Sequence, residues 1–228
     1  MKVLVVAAHP DDEILGCGGT MARLAREGHE VHIAIMAEGM TSRYAQRQAA
    51  DSAKLSHLHR QAEAASRKVG AKGVTLFKLP DNRLDTVPLI EVVKLVEELV
   101  QRLLPEAIYT HHPGDLNVDH GVVHRAVLTA TRPMIGQPVR DIYAFEIASS
   151  TEWAFQGIAP AMRPNVFVDI AASLDAKLEA MACYDTETRP FPHPRSPEAL
   201  RAIAARWGSV VGCAAAEAFE LVRSLRPA

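Results

Sequence analysis

Short apolar runs that stop at turn-forming or charged residues alternate along this chain with longer stretches in which apolar positions recur every three or four residues. That alternation is the pattern of βα units built around a mostly parallel sheet. It predicts strands at residues 2 to 8, 30 to 37, 73 to 78, 107 to 111, 140 to 146 and 165 to 170. The helical period predicts helices over residues 12 to 27, 45 to 69, 88 to 103 and 120 to 131, with Gly28 and Gly70 as stops for the first two.

Beyond residue 172 the strand pattern ceases. "SLDAKLEAMACY" and "SPEALRAIAARWGSVVGCAAAEAFELVRSL" read as helices, the second opening with Ser196 as N-cap and Pro197 at the first helical position. Between them "RPFPHPRSP", Arg189 to Pro197, is too rich in proline for a helix or a central strand and reads as a stiff, extended loop. The expected fold class is α/β: a Rossmann-like, mostly parallel sheet sandwiched by helices. Residues 1–172 would form the α/β core and residues 173–228 a helical tail, within one domain spanning 1–228.

Composition narrows the partners. The length of 228 residues suits one α/β domain, and a formal net charge of -2 gives no electrostatic reason to expect nucleic acid or an anionic membrane. Cys17, Cys183 and Cys213 are too scattered for a disulfide framework, so a reducing cytoplasm is the simpler home. "MKVLVV" begins like a signal peptide but breaks at His9 with no small-residue cleavage site, and no stretch reaches the roughly 18 apolar residues of a membrane span.

The chemistry concentrates at two predicted strand ends, where ligands of a doubly wound sheet bind. The first run, "VLVVAAHPDDEILGCGGT", passes from buried-strand composition into His9, Pro10, Asp11, Asp12 and Glu13. Two readings stand. Acids at a helix N-terminus are favoured by unpaired amides and the macrodipole, which accounts for the acids but not for His9. Alternatively, Pro10 fixes the backbone so that His9 and Asp12 aim a nitrogen and a carboxylate at one cation such as zinc, and Asp11 stands beside it to accept a proton from water. The "GCGGT" that follows has neither the GxGxxG nor the P-loop order, and its glycines read as close packing of helix on sheet or ligand.

The second strand end is "HHPGDLNVDHGVVH", residues 111 to 124, which holds four of the 10 histidines. His120 is the candidate third ligand, and Asp119 would orient a neighbouring imidazole or hold the shape of the site. His124 reads as a partly buried helix histidine. His111 and His112 stay ambiguous: one would line the pocket while the other packs at the strand end. His9, Asp12 and His120 supply three protein ligands, the count of a catalytic zinc site, which keeps a fourth position open.

With these residues in view, the sequence resembles the zinc-dependent de-N-acetylases of the LmbE-like or PIG-L family. The likeness is carried by "AHPDDEILGCGGT", Ala8 to Thr20, by "DLNVDH", Asp115 to His120, and by "RQAE", Arg60 to Glu63. It implies a cofactor of one Zn2+ held by His9, Asp12 and His120, with Asp11 as general base. It further implies that Arg60 and Asp81 touch substrate hydroxyls, although an arginine and an aspartate on strand-end loops also occur as a solvated ion pair. His112 is kept as a substrate contact.

One position departs from the family pattern. Many members carry histidine three residues before the last zinc ligand, and this chain has Asn117 there. Asparagine can donate a hydrogen bond to an oxyanion but cannot act as an acid. The acid would then be Asp11, returning the proton it collected, or an imidazole from elsewhere. His193, with Arg195 beside it as a substrate contact, is the candidate, against the plainer reading that "PHPRSP" only leads into the last helix.

The function expected is removal of the N-acetyl group from an N-acetylated amino sugar or its conjugate, a small-molecule substrate. Family resemblance alone suggests a homo-oligomer. Two rivals remain: an amidase acting on a non-sugar or thiol-conjugate amide, and a metal-free nucleotide-binding module in which the acids merely cap a helix.

Overall fold

The computed structural model describes residues 1–158 and 160–226. Every expected strand forms: β1 (Lys2–Ala7), β2 (Glu30–Ala37), β3 (Gly73–Leu79), β4 (Ala107–His111), β5 (Asp141–Phe145) and β6 (Val166–Asp169). The expected helices appear as α1 (Asp12–Arg26), α2 (Ser52–Lys68), α3 (Leu89–Leu103) and α4 (Val118–Ala130), followed by α5 (Leu174–Ala182) and α6 (Pro197–Val211). Gly28 and Gly70 have φ of 83° and 71°, the left-handed conformation that lets a chain leave a helix.

Two expectations are corrected. Helix α2 begins at Ser52 rather than residue 45, because Asp51 caps it by accepting from the Ala53 and Lys54 amides, and short 3-10 turns precede it. More consequentially, the tail is not wholly helical. Gly212, at φ 78°, ends α6, and Ala216–Ser224 form a seventh strand, β7. "AEAFEL" is composed mostly of good helix formers, and β7 lies between two other strands with no clean alternation to betray it. Tertiary pairing overrides its propensity.

The sheet order is β3-β2-β1-β4-β5-β7-β6, parallel from β3 through β5, with β7 antiparallel to both neighbours. Residues of β1 alternate between its two faces. Val3 and Val5 pack with Ile14, Met21, Leu58 and Leu200 on one side, while Leu4 and Val6 pack with Val93, Leu99, Val123 and Val127 on the other. The glycines of α1 serve that packing: a Cβ on Gly16 would collide with the Phe145 ring, and one on Gly19 would lie 2.7 Å from Ile170. Among the described residues no helix is long and apolar enough to cross a membrane.

From β1 the chain moves outward to β2 and β3, then returns to β4 on the other side of β1. The strand order therefore reverses between β1 and β4, and the carboxyl ends of these two strands open a crevice there. Both motif loops leave from those ends.

Candidate metal centre

Beyond β1, Asp11 sits at φ 100°, a left-handed conformation unusual for a residue with a side chain, and Asp12 begins α1. The turn is tied by Asp12 Oδ2, which accepts the His9 backbone N–H at 2.9 Å. The second loop is organised by Asn117. Its Oδ1 accepts the Asp119 N–H at 2.9 Å and caps α4, so that helix starts at Val118, two residues before its expected start. The cap, worth about 1 kcal/mol, sets Asp119 and His120 in the first turn.

His9, Asp12 and His120 each place one donor atom within 4.8 Å of the others. Asp12 Oδ2 lies 3.2 Å from His9 Nδ1 and 3.2 Å from His120 Nε2. The far side of each ring faces a carboxylate: Asp119 Oδ2 is 3.0 Å from His9 Nε2, and Asp115 Oδ1 is 3.0 Å from His120 Nδ1. Asp119 is itself fixed by accepting the Leu84 N–H at 2.8 Å. Carboxylates behind ligating imidazoles set their tautomer and orientation.

The donor set fits a divalent cation. Neither buried nitrogen of His120 makes a well-aligned hydrogen bond, although carboxylate oxygens are near both. Asp11, Asp12, Asp81, Asp115 and Asp119 are all buried around the crevice, where, among the described residues, Arg195 is the one arginine paired with them, and a concentration of buried negative charge is costly unless cations balance it. Nitrogen and oxygen donors without cysteine, three in number, match an open catalytic zinc site.

Electrostatics follows the same layout. Burial would lower the His120 pKa, but Asp12 and Asp115 outweigh it and lift it to about 9. Burial opposes ionisation of Asp115, yet His120 and the Ser150 and Thr151 hydroxyls bring it down to about 2. His111 is lowered by burial and by His120, so it is neutral, and its Nε2 accepts the Ala8 N–H at 2.8 Å.

Asp11 is pushed up by burial, and Arg195 opposes that push. The Arg195 guanidinium reaches Asp11 Oδ2 through Nη1 at 2.6 Å, while its Nε donates to Ser149 Oγ at 2.7 Å. Glu187 lies 3.6 Å behind it and is held in turn by Arg43 at 2.7 Å. Beneath Asp11, Glu13 Oε2 accepts the Asp11 N–H at 3.1 Å, and the Tyr184 hydroxyl donates to Glu13 Oε1 at 2.6 Å.

The crevice is a cavity of about 490 Å³ whose wall includes His9, Asp11, Asp12, Asp81, Asn117, His120 and Arg195. Asp81 accepts from the Ser42 amide and hydroxyl at 2.9 and 2.6 Å and lies 3.5 Å from His9 Nε2. Asn117 is held at both ends of its amide, since Nδ2 donates to Asn82 Oδ1 at 2.8 Å.

Three expected contacts lie outside that wall. Arg60 is exposed on α2, whose Leu58, Ala62 and Ala65 face the core instead. His112 turns to the opposite side of the strand end from His111 and faces Glu220 of β7 at 3.4 Å. His111 is fully buried and is not part of the cavity wall either, so neither histidine of the pair lines it; the His111 ring instead stacks 3.9 Å from His120. His193 is packed edge-on against Trp153, 5.7 Å between centroids, and its Nδ1 accepts the Arg195 N–H at 3.1 Å. Its place is to shape the loop that presents Arg195. His124 is a buried helix histidine whose Nδ1–H donates to the His111 carbonyl at 2.8 Å.

Sequence reasoning named Glu13 only within the acid cluster and Asp115 only as the start of a motif, and it passed over Tyr184 and Glu187; all four are supporting residues. Asp115 carried a signal, an acid five residues before His120 in a strand-end loop, whereas the partners of Glu13 and Arg195 come from more than 170 residues away.

A family model described as "GlcNAc-PI de-N-acetylase" (PIG-L) matches residues 4–131. The chain is 28% identical over 189 residues to a probable N-acetyl-alpha-D-glucosaminyl L-malate deacetylase 2 of Bacillus cereus, covering 82% of this chain and 83% of that one. It is 25% identical over 201 residues to a 4-oxalmesaconate hydratase of Pseudomonas putida, covering 80% and 72% respectively. In three dimensions it is similar to the N,N'-diacetylchitobiose deacetylase from Pyrococcus horikoshii, with a TM-score of 0.75 and 22% identity, over 97% of this chain and 84% of that one.

Proposed function

From the premise that the chain belongs to the PIG-L family of de-N-acetylases, we propose that it is a zinc-dependent hydrolase that removes the acetyl group from an N-acetylated amino sugar of the N-acetylglucosamine type or its conjugate. The observation that carries the reading is the convergence of His9, Asp12 and His120 within 4.8 Å beside the buried carboxylate of Asp11. A zinc ion held by those three residues would supply Lewis acidity, polarising the amide carbonyl and acidifying water.

The remaining work falls to the chain. Asp119 and Asp115 hold the His9 and His120 rings in orientation. Arg195 occupies Asp11 Oδ2 and leaves Oδ1 as the acceptor for the proton of the attacking water. Asp11 then returns that proton to the departing amine, a role that neither Asn117, which has no acidic proton, nor His193, which lies outside the cavity wall, would take. Products are acetate and a free amino sugar. Substrate hydroxyls would meet Asp81, Asn82 and Ser42. The substrate is a small molecule; the protein would work in the cytoplasm, and association of copies is part of the proposal by family likeness alone.

Elemental analysis of the purified protein, with acetate release from N-acetylglucosamine conjugates measured on the same samples, tests this. About one zinc per chain, lost together with activity in His120→Ala, supports it. A metal-loaded protein that leaves every N-acetyl sugar intact but consumes 4-oxalmesaconate, the substrate named for the hydratase relative, would overturn it.

A further inference from the structure

The cavity is lined by two kinds of side chain. Ser42, Arg43, Asp81 and Asn82 bring hydroxyl, guanidinium, carboxylate and amide groups to it. Leu116, Val118 and Trp153, which are 51%, 48% and 41% exposed, line it too. Single exposed apolar residues need no explanation, but three bulky ones lining the concave site that holds the metal ligands do.

Their exposure is not the looseness of a surface loop. Asp115 clasps the two segments that carry them: its carboxylate accepts from the Ser150 hydroxyl, from the Thr151 hydroxyl at 2.6 Å and from the Asn117 N–H at 2.8 Å. The same carboxylate faces His120 Nδ1, so the apolar wall and a metal ligand share one anchor. Trp153 is further braced against the His193 ring.

Leucine and valine offer nothing to sugar hydroxyls and the indole offers only its single N–H, whereas all three gain from covering an alkyl or aryl group. We propose that Leu116, Val118 and Trp153 form a subsite for an apolar aglycone, so that the preferred substrate is an N-acetylated amino sugar carrying an alkyl or aryl group rather than the free sugar or one with a charged appendage. This rests on the deacetylase reading for the sugar half and on the wall itself for the aglycone half.

The test compares methyl and octyl glycosides of N-acetylglucosamine, the latter below its micelle concentration, as substrates of the zinc-loaded enzyme and as ligands in calorimetry. The expected result is a kcat/KM at least about 10-fold higher for the octyl glycoside, with tighter binding to match, given that even single methylene groups are read in apolar pockets. In Trp153→Ala, and separately in Leu116→Ser, that octyl-over-methyl ratio should collapse toward one. Equal kcat/KM and equal affinity for the two glycosides in the wild type would overturn the proposal while leaving deacetylation standing. So would a Trp153→Ala enzyme that loses both substrates alike, since the indole would then be stacking on the sugar. Octyl binding without turnover, abolished by Trp153→Ala, would support the subsite and sink the deacetylase reading instead.

Discussion

Arg195 Nη1 lies 2.6 Å from Asp11 Oδ2, joining the loop before α6 to the turn after β1. Asp11 is 2% exposed, so without this partner its negative charge would be left beside the carboxylates of Asp12, Glu13 and Glu187. Removing one member of a buried pair leaves the other uncompensated. Arg195→Ala is therefore expected to cut kcat by about 10²-fold, the low end of what a positioned base contributes. Arg195→Lys, which keeps the charge but loses the Nε contact to Ser149, should recover part of it. Steady-state kinetics at saturating zinc checks this, and an Arg195→Ala enzyme with unchanged kcat would remove the pair from the chemistry.

The carboxylates behind the imidazoles give a second expectation. Asp115→Asn and Asp119→Asn preserve volume while weakening the acceptors that orient His120 and His9. Each should lower zinc affinity by about 10- to 100-fold, the usual effect of losing such a partner. Asp12→Ala should abolish stoichiometric binding altogether. Competition with a chromogenic chelator distinguishes the three; native affinity in both asparagine variants would deny the carboxylates any orienting role.

Metal binding should be strongly pH-dependent. His120 in the metal-free fold titrates near 9, above its ordinary 6.5, because Asp12 and Asp115 flank it. Zinc needs the neutral ring, so binding expels a proton, and apparent affinity should fall about 10-fold per pH unit below 9 for that proton alone. The metal-free protein should behave in the opposite sense. The raised pKa stabilises the fold fully below pH 6.5, and this contribution is lost as pH rises towards 9, so its melting temperature should decline across that window. Chelator competition and thermal melts over pH 6 to 9 read both trends.

How much of this was legible in the sequence depends on distance along the chain. His9, Asp11 and Asp12 fall within one turn, and Asp119 and His120 within another, so local spacing and the rule for strand ends suffice to place them together. Arg60 failed because a helix position fixes a face only once its packing is known, and the core took the face of Leu58 and Ala62. His112 failed because its partner, Glu220, sits on β7, a strand written in helix-forming residues whose identity comes from its neighbours rather than its own propensity. His193 and Arg195 are two residues apart in a proline-rich loop, and only the folded path of that loop says which of them turns towards Asp11.

Tyr184 and Glu13 show how far the support for Asp11 reaches into the core. A side-chain-bearing residue at φ 100° costs of order 1–3 kcal/mol and persists only where its surroundings hold it. Here the hold is the Asp11 N–H bonded to Glu13 Oε2, and Glu13 is kept in place by the Tyr184 hydroxyl, all of it buried. Tyr184→Phe removes only that hydroxyl, leaving Glu13 Oε1 without its donor at a cost of about 1–3 kcal/mol. The expected outcome is a lower melting temperature together with a kcat reduced severalfold, while zinc content stays near one per chain because the ligands belong to other hydrogen bonds. Glu13→Gln keeps an acceptor oxygen for the Asp11 N–H, but its NH2 can only donate towards the Tyr184 oxygen, so the hydroxyl proton loses its acceptor and the variant should fall in the same direction as Tyr184→Phe, with the double variant little worse than either. Additive losses in the double variant would mean that the two residues act separately rather than in series on the Asp11 turn.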